Sequence, residues 1–184
     1  YLREFDDESD TFVVTISSEL SGSYNSAELA KSLYLDENES KKIEVVDSKT
    51  ASVGQTLIAL KIKELISEGH LFDDIVQKVK AFRSELKTKF VLENLDNLQK
   101  SGRLSNLEAF IANALNIKPI MAGTPDGLIA KLDQARGIKK ALITMADIIE
   151  RDVIRPQGKI LAIAHCNCLE RAQFIRDEIL KRVP

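Results

Sequence analysis

A short run of apolar, largely β-branched residues constrains the fold of this chain more than any other feature. It covers residues 11–16 and has no polar face, which predicts a strand buried on both sides. A helical pattern follows at residues 24–35, and residues 42–46 predict a second strand. Because strands that alternate with helices at this spacing need crossover connections, we expect a parallel sheet.

The rest of the chain continues with two helices and then changes character. The helices are predicted at residues 52–68 and 72–86, and the first of them places Leu57, Leu60, Leu65 and Ile66 on one face. The second half has predicted strands at residues 88–93, 117–121, 128–132 and 159–164. Its predicted helices are residues 95–100, 105–115, 137–152 and 169–183. Pro125 and Gly127 suit a tight antiparallel turn between the two middle strands.

This order of elements predicts an α/β protein with two domains. The first domain, residues 1–86, is a parallel-sheet α/β unit. The second, residues 87–184, is an α+β unit that contains a hairpin. Tyr1 in place of a methionine and a predicted helix that runs almost to Pro184 suggest a fragment of a longer protein.

Charge and apolar content exclude several classes of protein. The 26 Lys and Arg residues against 28 Asp and Glu residues give a formal net charge of −2, which argues against a dedicated nucleic-acid binder. No apolar run approaches the roughly 18 residues of a membrane-spanning helix. No basic-then-apolar leader precedes the first strand, so we expect a cytoplasmic protein.

A serine-rich loop at residues 17–23 is the most informative candidate site. It joins the first predicted strand to its helix and contains Ser17, Ser18, Ser21, Gly22 and Ser23. Ligands bind at the carboxyl ends of parallel strands, and a helix N-terminus adds unpaired N–H groups. A serine can also simply cap the helix, but one cap needs only one serine. We therefore interpret this loop as a binding site for an anion.

A second polar loop follows the next strand and should lie at the same edge of the sheet. It reads Asp47-Ser48-Lys49-Thr50, and its hydroxyl groups are placed to join the first loop around one ligand. A turn that merely begins the next helix explains these residues equally well.

Nucleotide, hydrolase and metal sites are disfavoured by the motifs. Neither a G-x-G-x-x-G nor a G-x-x-x-x-G-K-[ST] pattern occurs, so ATP is not the expected substrate of this chain. No G-x-S-x-G is present, which leaves a dyad of Ser21 with His165 as a weak alternative. His165, Cys166 and Cys168 supply fewer donors than the four of a structural zinc site, so we predict no metal.

Several stretches, taken in order, resemble the DegV family of fatty-acid-binding proteins. They are residues 16–27 (ISSELSGSYNSA), 46–49 (VDSK), 95–105 (LDNLQKSGRLS) and 117–120 (IKPI), then Gly127 and Arg136 before Lys139-Lys140. Two residues depart from the family pattern: Ser23 replaces a threonine, and Ser101 replaces a glycine whose backbone freedom a serine lacks. The family's Thr-Ser-Gln-Pro and His-Thr-Gly-Pro-Gly-like head-group motifs do not occur in this sequence.

The resemblance implies a non-catalytic carrier without a cofactor. Such a protein buries one long-chain fatty acid between its domains, holds the carboxylate with hydroxyl groups that include Ser21, and presents the acid to a separate fatty acid kinase that forms an acyl phosphate. Arg103 and Arg136 would lie toward the mouth, near the head group or the kinase. The predicted ligand-binding residues are Ser17, Ser18, Ser21, Gly22, Ser23, Asp47, Ser48, Arg103 and Arg136.

Two other functions remain open from the residues alone. Serines at a helix N-terminus also hold phosphate, so an enzyme on a small phosphorylated metabolite, such as a sugar-phosphate isomerase, is the alternative. A regulatory or scaffolding module without a ligand is the third.

Overall fold

A parallel pair of strands forms the centre of the first part of the chain. The computed structural model describes residues 1–6, 9–103 and 116–183. In it β1 (Thr11–Thr15) lies beside β2 (Ile43–Asp47) in a parallel register that sets Thr11 opposite Ile43. The helix α1 (Ser23–Leu35) connects them, because a parallel pair cannot be joined by a tight turn. The predicted parallel sheet is confirmed.

The helices α2 (Val53–Ser67) and α3 (Phe72–Glu85) cover this sheet and share a core with it. That core contains Val46, Ile58, Ile62, Leu65, Ile75 and Val79. The predicted face of α2 is wrong in part, since Leu60 is 55% and Ile66 54% exposed. The buried line is instead Gly54, Ile58 and Ile62, with Leu65 beside it. A Cβ on Gly54 would lie 2.5 Å from Thr50 Oγ1, so the glycine lets the preceding loop approach this line of the helix.

The strand β1 is less buried than its apolar sequence predicts. Its first four residues are only half-buried, and Thr15 alone is fully buried. Among the described residues β1 pairs with β2 alone, so its other edge has no strand against it. Both faces of the strand nevertheless contact a hydrophobic core, with Phe12 and Val14 on the side of α2 and α3 and Val13 against the cluster that contains Phe5 and Ile43. The expected burial on both sides is therefore met only in part.

The second part of the chain is built on an antiparallel sheet of order β3-β4-β5 within the described ranges. Its strands are β3 (Lys89–Val91), β4 (Ile117–Gly123) and β5 (Ile129–Arg136). The helices are α4 (Asp96–Lys100), α5 (Ile138–Asp152) and α6 (Leu169–Arg182). Ile120 packs with α5 and α6 in one hydrophobic core. The predicted hairpin of β4 and β5 is confirmed, and both strands are longer than the sequence suggests.

One predicted strand is wrong and one predicted helix cannot be compared. Residues 159–164 form no strand, and Ile160 and Leu161 are 69% and 42% exposed. A strand needs a neighbour to satisfy its backbone, and no described strand pairs with this segment. The predicted helix at residues 105–115 lies outside the described residues.

The chain divides into two compact units. One comprises Tyr1–Leu86 with Thr124–Leu128, and the other comprises Lys87–Gly123 with Ile129–Pro184. The turn between β4 and β5 thus belongs to the first unit although both of its strands belong to the second. The two domains expected at residues 1–86 and 87–184 stay a prediction. None of the helices in the described part of the chain has the length and apolar character that a membrane crossing requires.

Candidate functional site

Ser17 fastens the serine loop to two other segments of the first unit. Its side chain is fully buried, and its Oγ donates a hydrogen bond of 2.8 Å to the carbonyl of Gly127. The same Oγ accepts the N–H of Glu19 at 3.3 Å, while the Ser17 N–H donates to the carbonyl of Thr50 at 2.9 Å. The hydroxyl of Ser17 is therefore occupied within the protein.

Asp47 is hydrogen-bonded to Ser18 and so connects the second polar loop to the serine loop. One carboxylate oxygen accepts the N–H groups of Ser18 and Lys49, each at 3.1 Å. The other accepts the Ser18 hydroxyl at 2.5 Å and pairs with Lys49 Nζ at 2.9 Å. Arg83 donates to the Asp47 carbonyl at 2.9 Å. The two loops therefore adjoin at the end of the sheet, as the sequence predicts.

The surroundings of Asp47 keep its carboxylate charged. Burial by itself raises the pKa of this group, but hydrogen bonds from the Ser18 hydroxyl, from Lys49 and from both backbone N–H groups bring the pKa below its usual value. The Lys49 ammonium also donates to Ser18 Oγ at 3.2 Å. A negative and a positive charge thus lie side by side in this loop.

Ser48 is a structural residue of the same loop. It is 1% exposed, and its hydroxyl donates to the carbonyl of Thr50 at 3.1 Å while accepting the Thr50 N–H at 3.3 Å. Lys49 and Ser52 have φ angles of 53° and 54°, in the left-handed region that few non-glycine residues adopt. The internal bonds of Ser48 help to hold this strained turn.

Ser21 and Ser23 present the accessible hydroxyl groups of the site. The N–H groups of Leu20 and Ser21 both donate to the carbonyl of Ser17, which folds the loop into a compact turn. The hydroxyls of Ser21 and Ser23 lie 2.8 Å apart, and Ser21 Oγ also accepts the Ser23 N–H at 3.2 Å. Both side chains are half-buried, and Gly22 between them is exposed. The first turn of α1 carries no acidic residue, so its N-terminus retains its positive field.

The two predicted arginines belong to the second unit. Arg136 is exposed and borders a shallow depression of about 520 Å³ with Lys139 and Lys140 at the start of α5. Arg103 is exposed and donates to the carbonyl of Ser101. Ser101 itself has an ordinary φ of −84°, and Gly102 takes the positive φ, so the serine does not strain the backbone here. The role of both arginines at a head group stays a prediction.

A second cavity, of about 150 Å³, lies beside Asp47 in the first unit. Charged side chains border it, including Glu28, Glu44, Lys80 and Arg83. It is smaller than the roughly 300–1,000 Å³ of typical small-molecule pockets. Neither this cavity nor the shallow depression is an enclosed apolar channel, so neither by itself accommodates an acyl chain.

The histidine and cysteines near α6 do not assemble a metal centre. In the part of the chain that the structure describes, no three His, Cys, Asp or Glu side chains cluster closely enough to hold a metal ion. His165 Nδ1 instead accepts the N–H of Cys168, the residue before α6, at 3.2 Å.

Sequence reasoning missed three residues that build the site. Lys49 neutralises Asp47, Arg83 holds the Asp47 carbonyl, and Gly127 accepts from Ser17. Lys49 carries a local signal, because it follows Asp47 in a polar turn. Gly127 and Arg83 act across 110 and 36 positions of the chain, and no local pattern reveals such contacts.

Comparison with known proteins identifies the family. A family model described as an uncharacterised protein of the DegV family matches residues 1–184. A DegV domain-containing protein of Streptococcus gordonii is 38% identical over 185 residues, which cover 100% of this chain and 65% of that protein. This chain therefore spans less than two thirds of the length of that relative.

Solved structures agree with this result. A DegV family protein from Ruminococcus gnavus, solved with vaccenic acid, superposes with a TM-score of 0.95 at 49% identity, covering 100% of this chain and 66% of that one. The Streptococcus pneumoniae Fatty Acid Kinase (Fak) B3 protein, loaded with linoleic acid, gives a TM-score of 0.90 at 35% identity, covering 100% and 65%. Since the family model matches the whole sequence, this chain belongs to the DegV family.

Proposed function

We propose that this protein is a non-catalytic carrier that binds one long-chain fatty acid and presents it to a separate kinase for acyl-phosphate formation. The observation that carries the proposal is the pair of accessible hydroxyls of Ser21 and Ser23, 2.8 Å apart at the N-terminus of α1. Two structural relatives, solved with vaccenic acid and with linoleic acid, support the choice of ligand. The Fak B3 relative supports a kinase as the partner.

The internal hydrogen bonds divide the predicted ligand-binding residues into two groups. Ser17 and Ser48 are buried and their hydroxyls are already bonded, so contact with a ligand would break bonds at a cost of about 1–3 kcal/mol for each group left unpaired. Asp47 is ionised and would repel a carboxylate. We therefore assign contact with the head group to Ser21, Gly22 and Ser23, and support of the loop to Ser17, Ser18, Asp47 and Ser48.

The energetics of a fatty acid require such hydroxyl groups. Each buried methylene contributes about 0.8 kcal/mol, so a chain of roughly 14 methylenes offers on the order of 11 kcal/mol before association costs. A buried carboxylate without partners would remove much of this gain. The serine hydroxyls supply donors without a fixed positive charge. Arg103 and Arg136 are proposed to act at the mouth, on the head group or on the kinase.

A serine variant tests this assignment. Ser21→Ala should weaken the binding of vaccenic acid by about 5–150-fold, the equivalent of about 1–3 kcal/mol, because it removes a donor to a charged group. Isothermal titration calorimetry gives the affinity. Ser26→Ala is the matched control, since Ser26 lies one turn further along α1 and is exposed.

The outcomes test the assignment of Ser21 and the carrier function independently. Equal affinity in wild type and Ser21→Ala would remove Ser21 from the site. Failure of the wild-type protein to bind vaccenic or linoleic acid, with no acyl lipid detected by native mass spectrometry, would overturn the carrier function. Competition by inorganic phosphate at the same site would instead favour a phosphorylated metabolite as the ligand.

A further inference from the structure

We infer that Asp47 and Lys49 are positioning residues for the fatty-acid head group: they hold the serine loop in the shape that presents Ser21 and Ser23, and their charges cancel beside an anion site. This inference rests on the proposed function. It removes Asp47 from the residues expected to touch the ligand, and it adds Lys49, which the sequence pattern did not single out.

Asp47 is a rigid anchor for the loop. It is the last residue of β2 and lies opposite Thr15 in the parallel register, so its backbone is set by the sheet. Arg83 of α3 also holds it by donating a hydrogen bond of 2.9 Å to its carbonyl. From this fixed point the carboxylate accepts both the N–H and the hydroxyl of Ser18. The start of the serine loop therefore cannot shift without breaking several hydrogen bonds.

The anchored end determines where the accessible hydroxyls lie. Ser18 is three positions before Ser21 in the chain. Ser17, which is bonded to Thr50 and Gly127, receives the N–H of Ser21 on its own carbonyl at 3.1 Å. Ser21 and Ser23 are then held relative to each other by the contact between their hydroxyls and by the start of α1 at Ser23. The position of the hydroxyl pair thus depends on the bonds made at Ser17 and Ser18.

Lys49 neutralises the anchor at the cost of backbone strain. Its φ of 53° turns the chain back so that both its N–H and its ammonium reach the carboxylate of Asp47. A left-handed non-glycine residue costs about 1–3 kcal/mol and persists only where its surroundings fix it, commonly near functional sites. Without Lys49 a buried negative charge would stand close to the loop that receives a carboxylate. The strained turn removes that repulsion.

A charge-balanced pair of variants tests the inference. The probes are vaccenic acid and the alcohol of the same chain, which lacks the negative charge. Lys49→Met should weaken acid binding at least tenfold and alcohol binding much less, because the charge of Asp47 is then uncompensated. The double variant Asp47→Asn/Lys49→Met should recover part of this loss. Asp47→Asn alone should also weaken acid binding, since it loses the bonds of a carboxylate to Ser18 and Lys49.

A matched control separates this effect from a general loss of charge. Asp74→Asn removes another carboxylate that pairs with a lysine, Lys78 at 2.9 Å, on the exposed surface of α3. It should change the affinity for neither probe. The Lys49 side chain is 30% exposed, so Lys49→Met is expected to fold even where Asp47→Asn does not.

The binding results distinguish failure of this inference from failure of the carrier function. Equal losses for acid and alcohol, or a double variant as weak as the product of the single effects, would overturn the inference that Lys49 compensates the charge of Asp47, because a changed loop shape alone weakens both probes. Either result would leave the carrier function intact. Absence of acid binding by the wild-type protein would overturn the carrier function and this inference together. A loss confined to the acid, with partial recovery in the double variant, supports both.

Discussion

The contact between Gly127 and the serine loop makes a sharp prediction about stability. Gly127 has φ +93° and is buried, with its carbonyl bonded to Ser17 Oγ. A Cβ at this position would lie 2.2 Å from Ser17 Oγ and 3.0 and 3.1 Å from Lys49 Cδ and Cα. Because one of these contacts is backbone, Lys49 cannot move aside by a rotamer change. Gly127→Ala must therefore push the turn Thr124–Leu128 away from both loops.

The expected loss follows from two physical terms. A left-handed backbone costs an alanine about 1–2 kcal/mol relative to glycine. Displacement of the turn breaks the bond from Ser17 to Gly127, so the Ser17 O–H loses its acceptor and the Gly127 carbonyl loses this donor, for about 1–3 kcal/mol. Together these terms lower the free energy of unfolding by roughly 2–5 kcal/mol.

Urea unfolding with a matched glycine variant isolates the second term. Gly69 has φ +80°, belongs to the same unit, and has no atom within 4 Å of its would-be Cβ. Gly69→Ala should lose only the backbone term, so Gly127→Ala should be less stable by a further 1–3 kcal/mol or about 2–12 °C in Tm. Equal losses in the two variants would refute the reasoning that the turn is held by Ser17 and Lys49.

Two further predictions concern the pH dependence of stability and the packing of α2. The pKa of Asp47 is lower in the folded protein than its ordinary 3.8, so its stabilising contribution is complete above that pH and is lost as pH falls through the folded value. Urea midpoints measured as the pH is lowered from about 5 to about 2 should therefore fall more steeply for wild type than for Asp47→Asn. Parallel curves would contradict this. Ile58→Ala should lower the free energy of unfolding by about 2–5 kcal/mol in the same assay, because Ile58 is fully buried. Leu60→Ala, at a side chain that is 55% exposed, should change it by no more than about 0.5 kcal/mol. Similar losses in the two variants would mean that the faces of α2 are assigned wrongly.

The elements with strong local signals could be predicted from the sequence. Pro125 and Gly127 mark the hairpin turn because few other residues suit its backbone, and β4 and β5 are paired as expected. Residues 159–164 show the limit of such signals. Their composition suits a strand, but a strand exists only with a neighbour, and none of the described strands pairs with them. The predicted burial of Leu60 is also wrong, since α2 turns Gly54, Ile58 and Ile62 toward the core and leaves Leu60 exposed. The loop before the helix contributes to this face, because a Cβ on Gly54 would collide with Thr50.

The position of the candidate site could be predicted from the sequence, but which of its residues support the loop and which can reach a ligand could not. The sequence brings the serine loop and Asp47 to one edge of the sheet, and their hydrogen bonds agree with that. Counting hydroxyls cannot tell a serine that supports a loop from one that can reach a ligand. Burial separates Ser17, which is fully enclosed, from Ser21, which is half-buried. Ser18 is also half-buried, and only its hydrogen bonds to Asp47 mark it as a supporting residue. The burial of Ser17 depends on Gly127, which is 110 positions away.

The density of internal bonds has a physical reason if the ligand is a carboxylate held by neutral donors. A neutral hydroxyl binds a carboxylate less strongly than an arginine does, so its binding free energy offsets little of the cost of ordering a flexible loop. Fixing one residue's backbone costs about 1–2 kcal/mol, and a loop of several mobile residues would cancel the benefit of two hydroxyls. The bonds from Ser17 and Ser18 to two other segments, the polar loop 47–50 and the turn that contains Gly127, order the loop during folding instead. Under the proposed function, the supporting residues are therefore expected to be as necessary for binding as Ser21 and Ser23, although they need not touch the ligand.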